Sequence, residues 1–179
     1  VLSYIDLKNE ISPLEMNRAL MMQNKIVAVP KVVPKTQNMN FYILDNSIEI
    51  SEQVKTGSFG INEPVAKKEN LFNAENFMQK KICVVVPGVA FGRKGQRLGH
   101  GMGFYDIYLS DLKKKCAQNN CSLFLAGLCF DFQIKENIDF CCRKPHIFEI
   151  IKHLVYRRHC LFFSSESFSR FIAHKSTSS

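Results

Sequence analysis

The sequence predicts an α/β fold, a single domain with a mostly parallel sheet flanked by helices in a Rossmann-like arrangement, and three observations carry that prediction. Lys81 to Val86 is a nearly continuous apolar run ended by Pro87-Gly88, the pattern of a strand buried on both faces of a parallel sheet. A glycine-rich loop follows, then a helical pattern from Phe104 to about Cys116 with Phe104, Tyr108, Leu109 and Leu112 on one face. Ser122 to Phe130 reads as the next strand, so strand, loop, helix and strand succeed one another as in a parallel crossover unit.

The remaining elements fit around this unit. Val1 to Leu7 reads as a buried strand, and Ser12-Pro13-Leu14-Glu15 as a helix start with Ser at the cap and Pro at the first helical position, the helix running to about Gln23. Lys25 to Val33 is rich in Val and Ile around Pro30, Met39 to Leu44 alternates as a short strand, and Gly57 to Pro64 reads as a loop. Ile147 to Val155 suits a helix or a strand, whereas Phe162 to Ser179 is Ser-rich with isolated Phe, the composition of a weakly ordered tail. The predicted organisation is therefore one domain over residues 1–155 and a tail over 156–179. The opening at Val1, directly in an apolar segment, points to a further segment upstream.

With 179 residues the chain is long enough for one hydrophobic core, and 46% hydrophobic with 22% charged residues argues against wholesale disorder. Lysines and arginines number 24 against 16 acidic residues, a formal charge of +8 that favours phosphorylated or other anionic ligands. The basic residues are scattered apart from Arg93, Lys94 and Arg97, Lys113 to Lys115, and Arg157 with Arg158. A charge run on a helix is more often a solvated face than a nucleic-acid site, so a basic nucleic-acid binder is the weakest of the readings. Seven cysteines at irregular spacing do not form a disulfide framework or a zinc pattern, and reduced thiols in the cytoplasm suit them. No apolar run nears the roughly 20 residues of a membrane span.

The informative stretch is Pro87-Gly88-Val89-Ala90-Phe91-Gly92-Arg93-Lys94-Gly95-Gln96-Arg97-Leu98-Gly99-His100-Gly101-Met102-Gly103-Phe104-Tyr105-Asp106. Alternating glycines at 99, 101 and 103 bring backbone amides close to a ligand, and a loop of this kind leading into a helix N-terminus binds phosphate. Arg97 could grip a phosphate by two parallel hydrogen bonds, and Asp106, in the first helical turn, could hold Mg²⁺. A tight turn, a solvated cation and a helix-dipole carboxylate are the plainer explanations of the same residues. The spacing is neither that of a Walker A loop nor that of the dinucleotide fingerprint.

This stretch resembles the hallmark P-G-[LV]-A-F-D-x-x-G-x-R-L-G-x-G-K-G-Y-Y-D of the 5-formyltetrahydrofolate cyclo-ligases. Weaker agreement continues in Tyr4 to Glu10, Lys25 to Lys31 and Gly60 to Pro64, so the resemblance covers roughly Val1 to Gln133. It implies ATP-dependent closure of 5-formyltetrahydrofolate to 5,10-methenyltetrahydrofolate: the formyl oxygen is phosphorylated, a folate nitrogen attacks the activated carbon, and phosphate leaves. The same resemblance implies an ATP site of Arg97, Leu98, Gly99, His100, Gly101, Met102, Gly103, Phe104 and Tyr105, with Arg97 and His100 serving catalysis. Ile5, Glu10, His100, Gly101, Met102, Gly103 and Phe104 would contact the folate, and Asp106 would hold Mg²⁺. A carboxylate such as Glu10 can accept hydrogen bonds from the amino and ring NH groups of a pterin. The resemblance further implies a monomer in the cytoplasm, or in mitochondria if an upstream segment directs it there, with no membrane partner.

Three departures stand out. Met102 occupies the position of the family's Lys, Gly92 that of the Asp after the Phe, and Arg143 to Ile147 contains no second metal-associated Asp. The family's N-terminal helix, which also reaches ATP, lies before Val1. These departures motivate a second reading, a folate- or nucleotide-binding homologue that does not turn over.

Overall fold

In the computed structural model the described residues are 1–57, 60–136 and 138, together with the backbone of 152–157 and 160–163. The fold is centred on β5 (Lys81–Val86) and β8 (Ser122–Phe130), which pair in parallel from Lys81↔Ser122 to Val86↔Gly127. They are joined by α2 (Phe104–Gln118), so the predicted crossover unit is present. β10 (Lys152–Arg157) extends the sheet in parallel on the far side of β8, and β11 (Cys160–Phe163) closes that edge antiparallel. On the other side of β5, Leu2 makes parallel bridges to both Val84 and Ala28, and so joins β5 to β1 (Ala28–Val32). β2 (Met39–Ile43) pairs antiparallel with β1. The sheet is thus parallel through its middle and antiparallel at its two rims, with β5 in the interior as its composition requires.

Alternation along β5 decides the packing. Val84 and Val86 lie in one apolar cluster with Leu2, Ala28, Phe41, Phe91 and the α2 residues Leu109 and Leu112. Cys83 and Val85 lie in a second, with Met16, Leu20 and Met21 of α1 (Leu14–Met22). Every residue from Ile82 to Val86 is buried, as expected of a strand covered by helices on both faces. Both helices end where an asparagine takes the left-handed conformation, Asn24 after α1 and Asn120 after α2, with φ of 55° and 52°.

Several expectations shift. Val1 to Leu7 is not a full strand: Leu2 alone bridges, and the chain then leaves the sheet toward Glu10. Pro13, not Ser12, occupies the cap position of α1, and the Ser12 hydroxyl donates to Asp6 at 2.7 Å. The stretch read as a loop over Gly57 to Pro64 contains β4 (Asn62–Pro64), which pairs with β3 (Val54–Thr56). A small sheet of β6 (Ala90–Gly92), β7 (Arg97–Leu98) and β9 (Ile134–Lys135) lies beyond the end of β5 and was not foreseen. The expected domain limit at residue 155 falls inside β10, and β11 lies within the stretch read as tail. Residues 143–147, where a second Asp was sought, lie outside the described residues.

Candidate active site

At the carboxyl edge of a parallel sheet strands release loops that can converge on a ligand, and here β5 releases Pro87 into the glycine-rich segment. β6 and β7 form a hairpin that turns the chain back, with Ala90 opposite Leu98 and Phe91 opposite Arg97. Phe91 is fully buried, lying so close to Gly88 and Gly127 that a methyl group on either would sit within 2.7 Å of its ring. Those two glycines therefore serve close packing and not loop freedom. Gln133 clamps the turn, its amide nitrogen donating to the carbonyls of Gly88 at 2.8 Å and Val89 at 3.1 Å. Sequence reasoning passed over Gln133, because nothing in its immediate neighbours reveals the distant turn that it holds.

Arg97 projects from β7 into the site, and its side chain is only 9% exposed. It donates to the Pro87 carbonyl at 3.2 Å and to Asp106 Oδ1 at 2.8 Å, while its guanidinium lies 5.6 Å from the centre of the Tyr105 ring. A residue with a side chain at position 99 would press on the guanidinium, 2.7 Å from Nη1, so Gly99 is required by close approach. The cation read as a phosphate grip and the carboxylate read as a metal ligand thus meet each other across the loop. Leu98 is half exposed on the same hairpin.

The loop then runs through exposed His100 to Gly101 at φ 89°, exposed Met102 and Gly103 at φ 76°. Gly103 caps α2 in the left-handed conformation, and among the described residues no side chain caps its first turn. The opening amides of a 15-residue helix are accordingly left for a ligand. Phe104 and Tyr105 turn inward onto the cluster beneath α2.

Glu10 reaches this loop from the N-terminal segment. One carboxylate oxygen accepts from the Leu7 amide at 3.1 Å, and the other lies 3.4 Å from His100 Nε2, with the Glu10 side chain 10% exposed. Ile5, half-buried, packs nearby against the cluster beneath α1. Burial pushes the Tyr105 phenol far above its ordinary range, with Arg97 opposing and the Glu10 charge adding to the rise. Burial does the same to Tyr4, again reinforced by Glu10, and the Tyr4 hydroxyl donates to the Ile11 carbonyl at 2.7 Å. The Tyr105 hydroxyl is buried with no hydrogen-bond partner among the described residues. Tyr4 is a neighbour of the site that sequence reasoning missed.

The donor set can be tested against Mg²⁺. Among the described residues no group of three or more His, Cys, Asp and Glu could enclose an ion, and one oxygen of Asp106 is held by Arg97. Mg²⁺ commonly takes one or two carboxylates and completes its shell with substrate phosphates and water. Asp106 fits that role toward an ion arriving with a nucleotide, and does not fit a resident protein cage. At position 92 a Cβ would press on the Gln96 side-chain amide, so a larger residue there requires that side chain to move. Lys113 and Lys114 are exposed on α2 and Lys115 pairs with Asp111 at 2.8 Å, a solvated helical face.

Residues 1–140 match the profile of the 5-formyltetrahydrofolate cyclo-ligase family. The chain is 32% identical over 117 residues to a probable 5-formyltetrahydrofolate cyclo-ligase of Schizosaccharomyces pombe, covering 64% of this chain and 54% of that protein. It is 33% identical over 135 residues to the 5-formyltetrahydrofolate cyclo-ligase of Haemophilus influenzae, covering 75% of this chain and 65% of that protein. It therefore spans between 54% and 65% of the length of these relatives. The fold is similar to that of the Aquifex aeolicus 5,10-methenyltetrahydrofolate synthetase solved by NMR, with a TM-score of 0.60 at 23% identity over 86% of this chain and 66% of that one. The profile match takes in the segment leading to Glu10, β5, the glycine loop and α2 together, and on that ground the chain belongs to the 5-formyltetrahydrofolate cyclo-ligase family.

Proposed function

We propose that this protein converts 5-formyltetrahydrofolate to 5,10-methenyltetrahydrofolate with cleavage of ATP to ADP and phosphate. The observation that carries the reading is the convergence of Glu10, Arg97, His100 and Asp106, from three separate segments, around an uncapped helix N-terminus. Glu10, held by the Leu7 amide, accepts hydrogen bonds from the pterin. His100, on the glycine-rich loop with Nε2 3.4 Å from the Glu10 carboxylate, is the residue proposed to lie between folate and nucleotide. The amides of the loop and of the first turn of α2 receive phosphate oxygens, and Arg97 neutralises charge on the group in flight. Arg97 already spends one donor on Asp106, and a five-donor guanidinium can keep that bond while offering another edge to phosphate. Asp106 would hold a Mg²⁺ arriving with the nucleotide, and that ion would withdraw charge from the phosphates.

The chain is proposed to act as a monomer in the cytoplasm; among the described residues no helix is long and apolar enough to cross a membrane. Purified protein incubated with 5-formyltetrahydrofolate, ATP and Mg²⁺ should develop methenyltetrahydrofolate absorbance and release ADP in equal amount. Absence of both, with folate binding retained, would leave the second reading, a binding homologue. Exposed Met102 in place of a loop cation is the observation that favours it.

A further inference from the structure

The end of α2 farthest from the phosphate loop carries a second chemical feature. The helix ends at Gln118 with Asn119 as its cap, Asn120 takes φ 52°, and the Cys121 amide donates back to the Cys116 carbonyl at 2.9 Å. This is the six-to-one bond of a helix-terminating motif in which the two bonded residues normally place apolar side chains against each other. Here both are cysteines, and both are free thiols. The motif fixes their backbones side by side, as a disulfide between near neighbours requires. Cys116 is buried beneath α2, whereas Cys121 is half-buried, with its thiol 3.0 Å from the Phe77 carbonyl. The two side chains sense each other: burial first, then the charge and hydrogen bond of Cys121, push the Cys116 thiol up to about 11. By contrast Cys83 and Cys129 are fully enclosed in two different core clusters.

We propose that Cys116 and Cys121 are a modification site, a dithiol that small-molecule disulfides convert to an intrachain disulfide across the end of α2. The more accessible Cys121, as its thiolate, attacks one sulfur of a disulfide RSSR, giving a mixed disulfide and releasing RS⁻. Cys116, on losing its proton, attacks the Cys121 sulfur, closes the Cys116–Cys121 bond and releases the second RS⁻. The two thiol protons pass through water to the two released thiolates, so the protein dithiol is oxidised and RSSR is reduced to two RSH. Excess small thiol reverses the sequence.

The full chain would be equilibrated with glutathione and glutathione disulfide over a range of ratios, trapped at low pH, alkylated, and mapped by tandem mass spectrometry. The expected result is a Cys116–Cys121 bridge that grows with the oxidised fraction and disappears with dithiothreitol. In a background with Cys141 and Cys142 changed to serine, which removes the chain's directly adjacent thiol pair, phenylarsine oxide, which needs two neighbouring thiols, should be retained and then lost on adding either Cys121→Ser or Cys116→Ala. Circular dichroism checks that each variant folds, and the mapping of the parent decides the question even if one does not. A glutathione adduct that stays on Cys121 without closing, thiols reduced at every ratio, or arsenical retention unchanged in a folded protein of that background carrying Cys121→Ser would each overturn the assignment.

Discussion

Replacing Met102 by lysine asks directly whether the loop still serves phosphate. Met102 is 50% exposed, so its removal forfeits little packing, and the positive φ angles here belong to the glycines on either side and not to Met102 itself. A lysine can therefore be accommodated without a new backbone state. An ammonium about 4 Å from a phosphate charge gains about 4 kcal/mol at the effective dielectric of a protein surface. Ordering a long side chain takes back about 2 kcal/mol. The net of about 2 kcal/mol corresponds to roughly 30-fold tighter ATP binding, and falls within the range for hydrogen bonds to charged groups. Calorimetric titration of Mg·ATP into the parent, Met102→Lys and the neutral control Met102→Gln measures it. The lysine gain should shrink as salt is raised, since the site is open to solvent. Equal affinity in parent and Met102→Lys, or an equal gain in Met102→Gln, would show that no phosphate lies within reach of position 102.

Other substitutions probe the groups that converge on the loop. Asp106→Asn keeps the shape but strips the charge facing a guanidinium that is 9% exposed, and should lower the unfolding free energy by about 1–3 kcal/mol in urea titrations. The same variant should need more Mg²⁺ for activity. Glu10→Gln leaves an acceptor for the Leu7 amide but removes the charge, so 5-formyltetrahydrofolate should bind about 5- to 150-fold more weakly by fluorescence titration, the equivalent of about 1–3 kcal/mol. Gly103→Ala meets no atom within 4 Å, so its cost is that of forcing a side chain to φ 76°, about 1 kcal/mol. For a chain of this size that should appear as a fall of about 2–4 °C in Tm.

What the sequence made legible follows from how each element earns its stability. β5 and β8 are buried on both faces and advertise themselves as apolar runs, and the Pro-Gly after Val86 marks where the sheet ends. Of the alternating glycines at 99, 101 and 103, those at 101 and 103 adopt positive φ and the one at 99 does not. β6, β7 and β9 have two or three residues each, too few to establish a period, and the packing of Phe91 between Gly88 and Gly127 depends on residues distant in sequence. β4 was masked by its own composition, since Gly57 and Pro64 read as turn residues. In the site, residue types pointed to phosphate and metal, but no spacing rule says that a β7 arginine and an α2 carboxylate should pair. The resemblance assigns Glu10 and His100 to the folate, and their contact depends on a fold that brings segments distant in sequence together.

The parallel bridges made by Leu2 also govern how the molecule comes to be assembled. Among the described residues β1 and β5 do not pair with each other; each meets only the extended segment at Leu2 on their common side. A chain that has already formed the β1–β2 hairpin and the β5–α2–β8 unit therefore still holds two subassemblies with an open seam between them. Closing it requires residue 2 to find partners at positions 28 and 84 at once, contacts whose loop-closure entropy makes them slow. Until then both flanking strands offer unpaired edges to any other chain. Refolding yield should consequently fall as protein concentration rises, and alteration of Leu2 should aggravate that loss more than its single side chain suggests.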